Sequence, residues 1–154
     1  MIRVAALLSA ILLAGCVTPA VSNDPDASSV PAGIELMYRD VGDVPGRVQD
    51  LFFAAAGERA FIKDIPFTPG SDGTVWMRGF LSTVSSGSGT LLVYVFDFDD
   101  RTTGQRLVRI GGQINSRATP EDPWDIVDYG LAADVMDDVL DQFIDWANEN
   151  GVGL

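Results

Sequence analysis

The chain has 154 residues, with 22 acidic side chains, 10 basic ones, one cysteine and no histidine. That length suits one domain whose core is large enough to fold without staples. One cysteine excludes an internal disulfide, and the lack of histidine removes Ser-His-Asp and Cys-His catalysis together with the commonest zinc ligand. The formal net charge of −12 opposes nucleic acid as a partner, because phosphates require a Lys/Arg footprint.

Arg3 heads an apolar run from Val4 to Leu13 that only Ser9 interrupts. About ten residues is half of what a membrane-spanning helix needs, so the run reads as an export signal. It ends Leu13-Ala14-Gly15-Cys16, which resembles the lipobox of bacterial lipoproteins. The resemblance implies that residues 1–15 are a signal peptide and that Cys16 is the first mature residue, diacylglyceryl-modified and palmitoylated. The sole thiol is then consumed as an anchor, and several acyl chains hold essentially permanently. Val17 stands where enterobacterial lipoproteins kept at the inner membrane carry Asp, which implies the periplasmic face of the outer membrane.

Residues 16–32 hold the lipidated cysteine and a stretch rich in Pro, Ser, Asn and Asp with no hydrophobic period. That composition predicts a flexible tether, followed by a single periplasmic domain over 33–154. Within the domain, Ile34 to Val41 reads as a short strand. Pro45-Gly46 then opens a short helix with Val48, Leu51, Phe52 and Ala55 on one face and Gly57 near its end. Ala60 to Phe67 reads as extended, Gly70 to Gly73 as a turn, and Thr74 to Val84 as a strand. Ser85 to Gly89 is a polar loop before Leu91 to Phe98, a strand apolar on both faces and so expected at the sheet centre. A turn over Asp99 to Gly104 returns the chain through Gln105 to Ile114, where Gly111-Gly112 predicts a bulge or a close backbone approach. The last element is a long helix starting at Asp122-Pro123, carrying an apolar stripe through Val127, Leu131, Val135, Val139 and Phe143, and stopping at Gly151. The expected fold is α+β: one mostly antiparallel sheet of four to five strands, with a short N-terminal and a long C-terminal helix on one face.

Three segments carry a family resemblance. Tyr94 to Asp97, Arg109 to Gly112 and Asp122 to Trp124 resemble stretches of small alphaproteobacterial outer-membrane lipoproteins with no assigned enzyme activity. Trp76 to Leu81, Tyr94 to Asp97 and Thr103-Gly104 also resemble the envelope modules of LpoB, CsgG and the TolB N-terminal domain. Two departures stand out. The helix usual between the second and third strands of the LpoB-like and TolB-like domains has no room between Phe67 and Thr74, and CsgG's membrane strands have no counterpart.

No catalytic residue, metal ligand or cofactor site emerges from the sequence. Asp97, Asp99 and Asp100 miss the EF-hand spacing and read as the solvated entry to a turn. The serines at 82, 85, 86 and 88 have no catalytic neighbour, and Gly87-Ser88-Gly89 lacks a P-loop ending. The aromatic residues read as core, with Trp124 and Trp146 at the rim of one helix face. The unusual feature is charge: ten carboxylates follow Arg117 with no Lys or Arg among them, leaving −2 for residues 1–117. This acidic helix is either a solvated face or a docking surface, and Trp124, Asp134, Asp137, Asp138, Asp141, Asp145 and Trp146 are its candidate contacts. The expectation is a non-enzymatic accessory or interaction protein of the cell envelope, anchored through Cys16 and engaging an envelope protein partner. The alternatives are a cation- or small-ligand-binding subunit of an envelope transport or export system, and a carboxylate-based envelope hydrolase.

Overall fold

A computed structural model of the chain describes residues 22–23, 34–39, 44–68 and 73–154. Its elements are β1 (Ser22–Asn23), β2 (Leu36–Arg39), α1 (Gly46–Ile62), β3 (Phe67–Thr68), β4 (Val75–Ser86), β5 (Gly89–Asp100), β6 (Arg106–Ser116), a 3-10 turn (Pro123–Ile126) and α2 (Tyr129–Glu149). The strands form one sheet in the order β1-β6-β5-β4-β2-β3. β4, β5 and β6 make an antiparallel meander, β1 joins β6 antiparallel, and β2 lies parallel to both β4 and β3. The α+β class and the mostly antiparallel sheet are as the sequence predicts, with β1 and β3 as two-residue edge additions.

Parallel neighbours cannot be joined by a tight turn, so β2 and β3 need a crossover, and α1 supplies it. The helix has 17 residues, longer than its sequence suggests. Gly57 does not end it but lies within the helix, facing the Phe67 ring of the strand that follows. The end comes at Asp64, in the left-handed conformation at φ 55. There the Ile65 N–H donates to the Ala60 carbonyl at 2.9 Å and the Asp64 N–H to that of Phe61 at 3.3 Å. This is a Schellman end with Asp in the place usually taken by Gly. Residues 60–62, expected to be extended, are therefore helical. α2 closes the same way through Gly151 at φ 69, with the Val152 N–H on the Ala147 carbonyl at 2.9 Å, as its glycine predicts.

The long C-terminal helix begins later than Asp122. The Asp122 carboxylate accepts from the Trp124 N–H at 3.0 Å and starts only the 3-10 turn. The buried Val127 is then extended, and Asp128 starts α2 afresh by accepting from the Leu131 N–H at 2.8 Å. Arg47 of α1 spans the break, donating to the carbonyls of Val127 at 2.9 Å and Trp124 at 3.1 Å. The Val127 carbonyl would otherwise lack the partner that a continuous helix provides, whereas that of Trp124 also accepts from the Val127 N–H at 3.0 Å.

The polar stretch at residues 85–89 is shorter as a loop than expected. β4 and β5 run on until only Gly87 and Ser88 connect them, a two-residue hairpin. At Gly111-Gly112 the register is continuous, so no bulge sits there; the irregularity falls between Phe98 and Asp99. Close approach is the correct half of that expectation. Tyr94 pairs directly with Gly112, and a Cβ on Gly112 would lie 2.4 Å from the tyrosine oxygen. Phe96 repeats the device across β4, where a Cβ on Gly79 would lie 2.7 Å from its ring. Two aromatic rings of the central strand thus lie over glycines of its two neighbours.

Alternation then divides the sheet. Met77, Leu92, Tyr94, Phe96, Phe98, Val108 and Ile110 point to the helices and join Val48, Phe52, Val135, Met136 and Phe143 in the core. Phe98 stacks on Phe143 at 4.2 Å between centroids, and Phe143 on Trp146 at 5.7 Å. The other face, bearing Trp76, Arg78, Phe80, Val93, Val95, Asp97, Asp99 and Arg109, carries neither helix. The sheet also takes in Ser22–Asn23, inside the stretch whose composition predicts a tether, through pairing of Ser22 with Arg109 and Asn23 with Val108. Residues 1–21, with the export signal and Cys16, and the rest of the tether lie outside the described residues. No helix among the described residues is long and apolar enough to cross a membrane.

Candidate functional site

The helix-free face of the sheet holds an ionic cluster that strand alternation creates, with Arg106 brought in by the register shift between Phe98 and Asp99. Asp97 and Asp99, two apart on β5, share this face, with Arg78 on β4 and Arg106 and Arg109 on β6. Arg109 grips Asp97 through two parallel bonds, Nε to Oδ1 at 2.6 Å and Nη2 to Oδ2 at 2.7 Å. Arg106 stands 3.9 Å from the same carboxylate. Arg78 donates to Asp99 Oδ2 from Nε at 2.6 Å. The carboxylates are 3% and 2% exposed, so the guanidinium groups rather than water solvate them. Burial raises the Asp99 pKa above the ordinary carboxylate value, and the Arg78 pair only partly offsets that. Asp100, also buried, accepts from the Thr103 N–H at 2.7 Å and fixes the turn to β6. The expectation of a solvated turn entry is thus corrected for all three aspartates. Strand pairing places three arginines beside them, a relationship that depends on the register between neighbouring strands.

Beyond the cluster, toward the β4–β5 hairpin, the same face turns apolar. Phe80 is 48% exposed and Val84 55%, beside half-buried Leu91, Val93 and Val95. One end of the face therefore offers partly exposed guanidinium N–H groups, three cations against two anions, and the other offers hydrocarbon.

Three carboxylates of the acidic helix are engaged by neighbouring elements, though most of its acidic residues stay exposed. Asp137 lies 3.5 Å from Arg59 and 3.3 Å from Lys63 of α1, and Lys63 reaches Asp141 at 2.6 Å. That bond and the Asp137 pair raise the Lys63 pKa against the opposing effect of burial. Asp138 accepts from the Tyr94 hydroxyl at 2.6 Å and from the Gln142 amide at 3.0 Å. Burial first, then the Asp138 carboxylate, push the tyrosine pKa far up. Tyr129, at the start of α2, hydrogen-bonds Glu58 of α1. Asp125 pairs with Arg47 at 3.3 Å. Among the candidate contacts, Asp137, Asp138 and Asp141 thus clamp α2 to α1 and to the sheet, whereas Asp134 and Asp145 are exposed and take no partner among the described residues. Trp124 is half-buried against the core. Trp146 is a correction: 4% exposed in the Phe98–Phe143 stack, it offers no surface to a partner.

Sequence reasoning missed the Arg78–Asp99 and Arg109–Asp97 pairs. Their signal was present as charged residues at alternate positions of otherwise apolar strands, all of one parity once the hairpin register is set. Among the described residues, no group of three or more Cys, Asp or Glu side chains is arranged to hold a metal ion.

No family model matches the chain, and no curated protein matches its sequence. The fold is shared with a Xanthomonas campestris protein of the DUF330 family model, with TM-score 0.56 and 8% identity over 86% of this chain and 96% of that one. Other similar structures are the PelC dodecamer from Paraburkholderia phytofirmans, with TM-score 0.48 and 11% identity over 78% of this chain and 94% of that one, and lipoprotein GNA1162 from Neisseria meningitidis, with TM-score 0.41 and 10% identity over 75% and 99%. At these identities the likeness is one of fold.

Proposed function

We propose that this chain is a non-enzymatic, lipid-anchored interaction protein of the bacterial cell envelope, held through Cys16 on the periplasmic face of the outer membrane. The observation that carries the reading is Leu13-Ala14-Gly15-Cys16 closing an apolar run of signal-peptide length. The resemblance of Tyr94 to Asp97, Arg109 to Gly112 and Asp122 to Trp124 to small alphaproteobacterial lipoproteins points the same way. The pairing of Ser22 with Arg109 adds a geometric consequence. Only six Cα steps separate Cys16 from Ser22, a reach of at most about 20 Å, so the β6 edge sits close to the lipid.

An interaction role rather than catalysis fits the way the charged groups are used. Asp97 and Asp99 are committed to arginines, and Asp137 and Asp141 to Lys63, which leaves them poorly placed to shuttle protons. The surfaces left for an envelope protein partner are the helix-free sheet face and the outer side of α2 at Asp134 and Asp145. Membrane fractionation of cells labelled with palmitate tests the reading. The parent chain carries label and pellets with membranes, and Cys16→Ser loses both. An unlabelled parent, or a Cys16→Ser variant that still pellets with membranes, overturns it.

A further inference from the structure

Among the described residues, the longest free edge of the sheet belongs to β4. β2 covers it only from Val75 to Arg78, and among the described residues no backbone pairs with the outer side of Gly79 to Ser86. That stretch reads Gly-Phe-Leu-Ser-Thr-Val-Ser-Ser, with no proline and no charge. Sheet edges are ordinarily blunted by one or the other, because unpaired N–H and C=O groups template a further strand. Here the neighbouring strand adds no protection, since residues 79–96 contain no Asp, Glu, Lys or Arg. Phe80, Ser82 and Val84 stand on the helix-free face and are exposed.

We infer that this edge pairs antiparallel with the same edge of a second copy of the chain, making one continuous sheet across a two-fold axis at Ser82. The sequence is self-complementary in that register. Phe80 faces Val84 of the second copy and Val84 faces its Phe80, two aromatic–β-branched pairs on one face; Leu81 faces Thr83 twice on the other. A symmetric interface requires this kind of reciprocity. Charge favours the same arrangement. The acidic α2 packs toward β6, on the far side of the sheet from β4, so the two-fold keeps the two acidic helices apart while joining two uncharged strands.

Cysteine scanning in the full-length chain tests the register. In the proposed pairing, Ser82 meets its symmetry mate at the separation of directly opposed residues, about 5 Å between Cα atoms, whereas Ser86 lies roughly 25 Å from its own. Under mild oxidation Ser82→Cys forms a disulfide-linked dimer about tenfold faster than Ser86→Cys, although both positions are exposed. Val84→Lys, a charge placed on the edge, converts the dimer to monomer in sedimentation with its far-ultraviolet circular dichroism unchanged, and removes the concentration dependence of the parent's melting temperature. Equal cross-linking at the two positions, a parent chain that stays monomeric at high concentration, or a dimer that survives Val84→Lys overturns the pairing. The parent is the control for Cys16. A parent that dimerises under oxidation has a free thiol, which counts against lipidation and not against the β4 edge.

Discussion

Tyr94 lies across Gly112, and only the absence of a side chain there lets its hydroxyl reach Asp138 on α2 at 2.6 Å. A backbone position on β6 thereby determines a bond between sheet and helix. Gly112→Ala forces the ring aside and costs about 1–3 kcal/mol, the usual penalty for overpacking. Thermal melting shows the loss, and the combined variant with Tyr94→Phe loses less than the two single changes together, because they act on one contact.

Alkaline pH tests the same tyrosine. Its folded pKa is raised above the ordinary 10.0 by burial and by Asp138. A raised pKa stabilises fully below the unfolded value and loses that contribution as pH climbs toward the folded one. Lys63 acts in the same direction above its ordinary 10.5, through Asp141 and Asp137. The melting temperature accordingly falls as pH rises past 10, and Tyr94→Phe flattens that fall. In a spectrophotometric titration, Tyr94→Phe removes a tyrosine that ionises above the ordinary 10.0.

Asp64 holds the left-handed position that ends α1. Asp64→Gly removes the steric cost of that conformation and raises stability by up to about 1 kcal/mol. Guanidinium unfolding measures it, with the midpoint moving up and the slope unchanged.

Arg47 and Trp146 test the account of the C-terminal segment. Arg47→Met strands the Val127 carbonyl and costs about 1–2 kcal/mol. Trp146→Ala empties the stack beside Phe143 and costs about 3–5 kcal/mol, an effect on folding that a surface contact residue does not have. Both are read by chemical denaturation.

The fold was legible where one local rule decided the outcome. Two apolar faces place Leu91 to Phe98 at the centre of the sheet, periodicity gives α2 its stripe, and Gly151 marks the helix end. It was illegible where partners came from distant segments. The end of α1 was hidden because Asp64 took a glycine position. The break at Val127 was hidden because Asp128 restarts the helix and Arg47 of α1 satisfies the gap. The acidic residues of α2 look uniform in sequence, but only packing against Lys63, Arg59 and Tyr94 separates the partnered Asp137, Asp138 and Asp141 from Asp134 and Asp145, which take no partner among the described residues. Asp97 and Asp99 were misjudged for the same reason: their cover is supplied by arginines on neighbouring strands.

The anchor itself is tested most directly by the intact mass of the mature protein extracted from membranes. A chain beginning at Cys16 and heavier than residues 16–154 by its acyl groups is the predicted result. A mature chain that begins elsewhere, or a Cys16 carrying an unmodified thiol, contradicts the account.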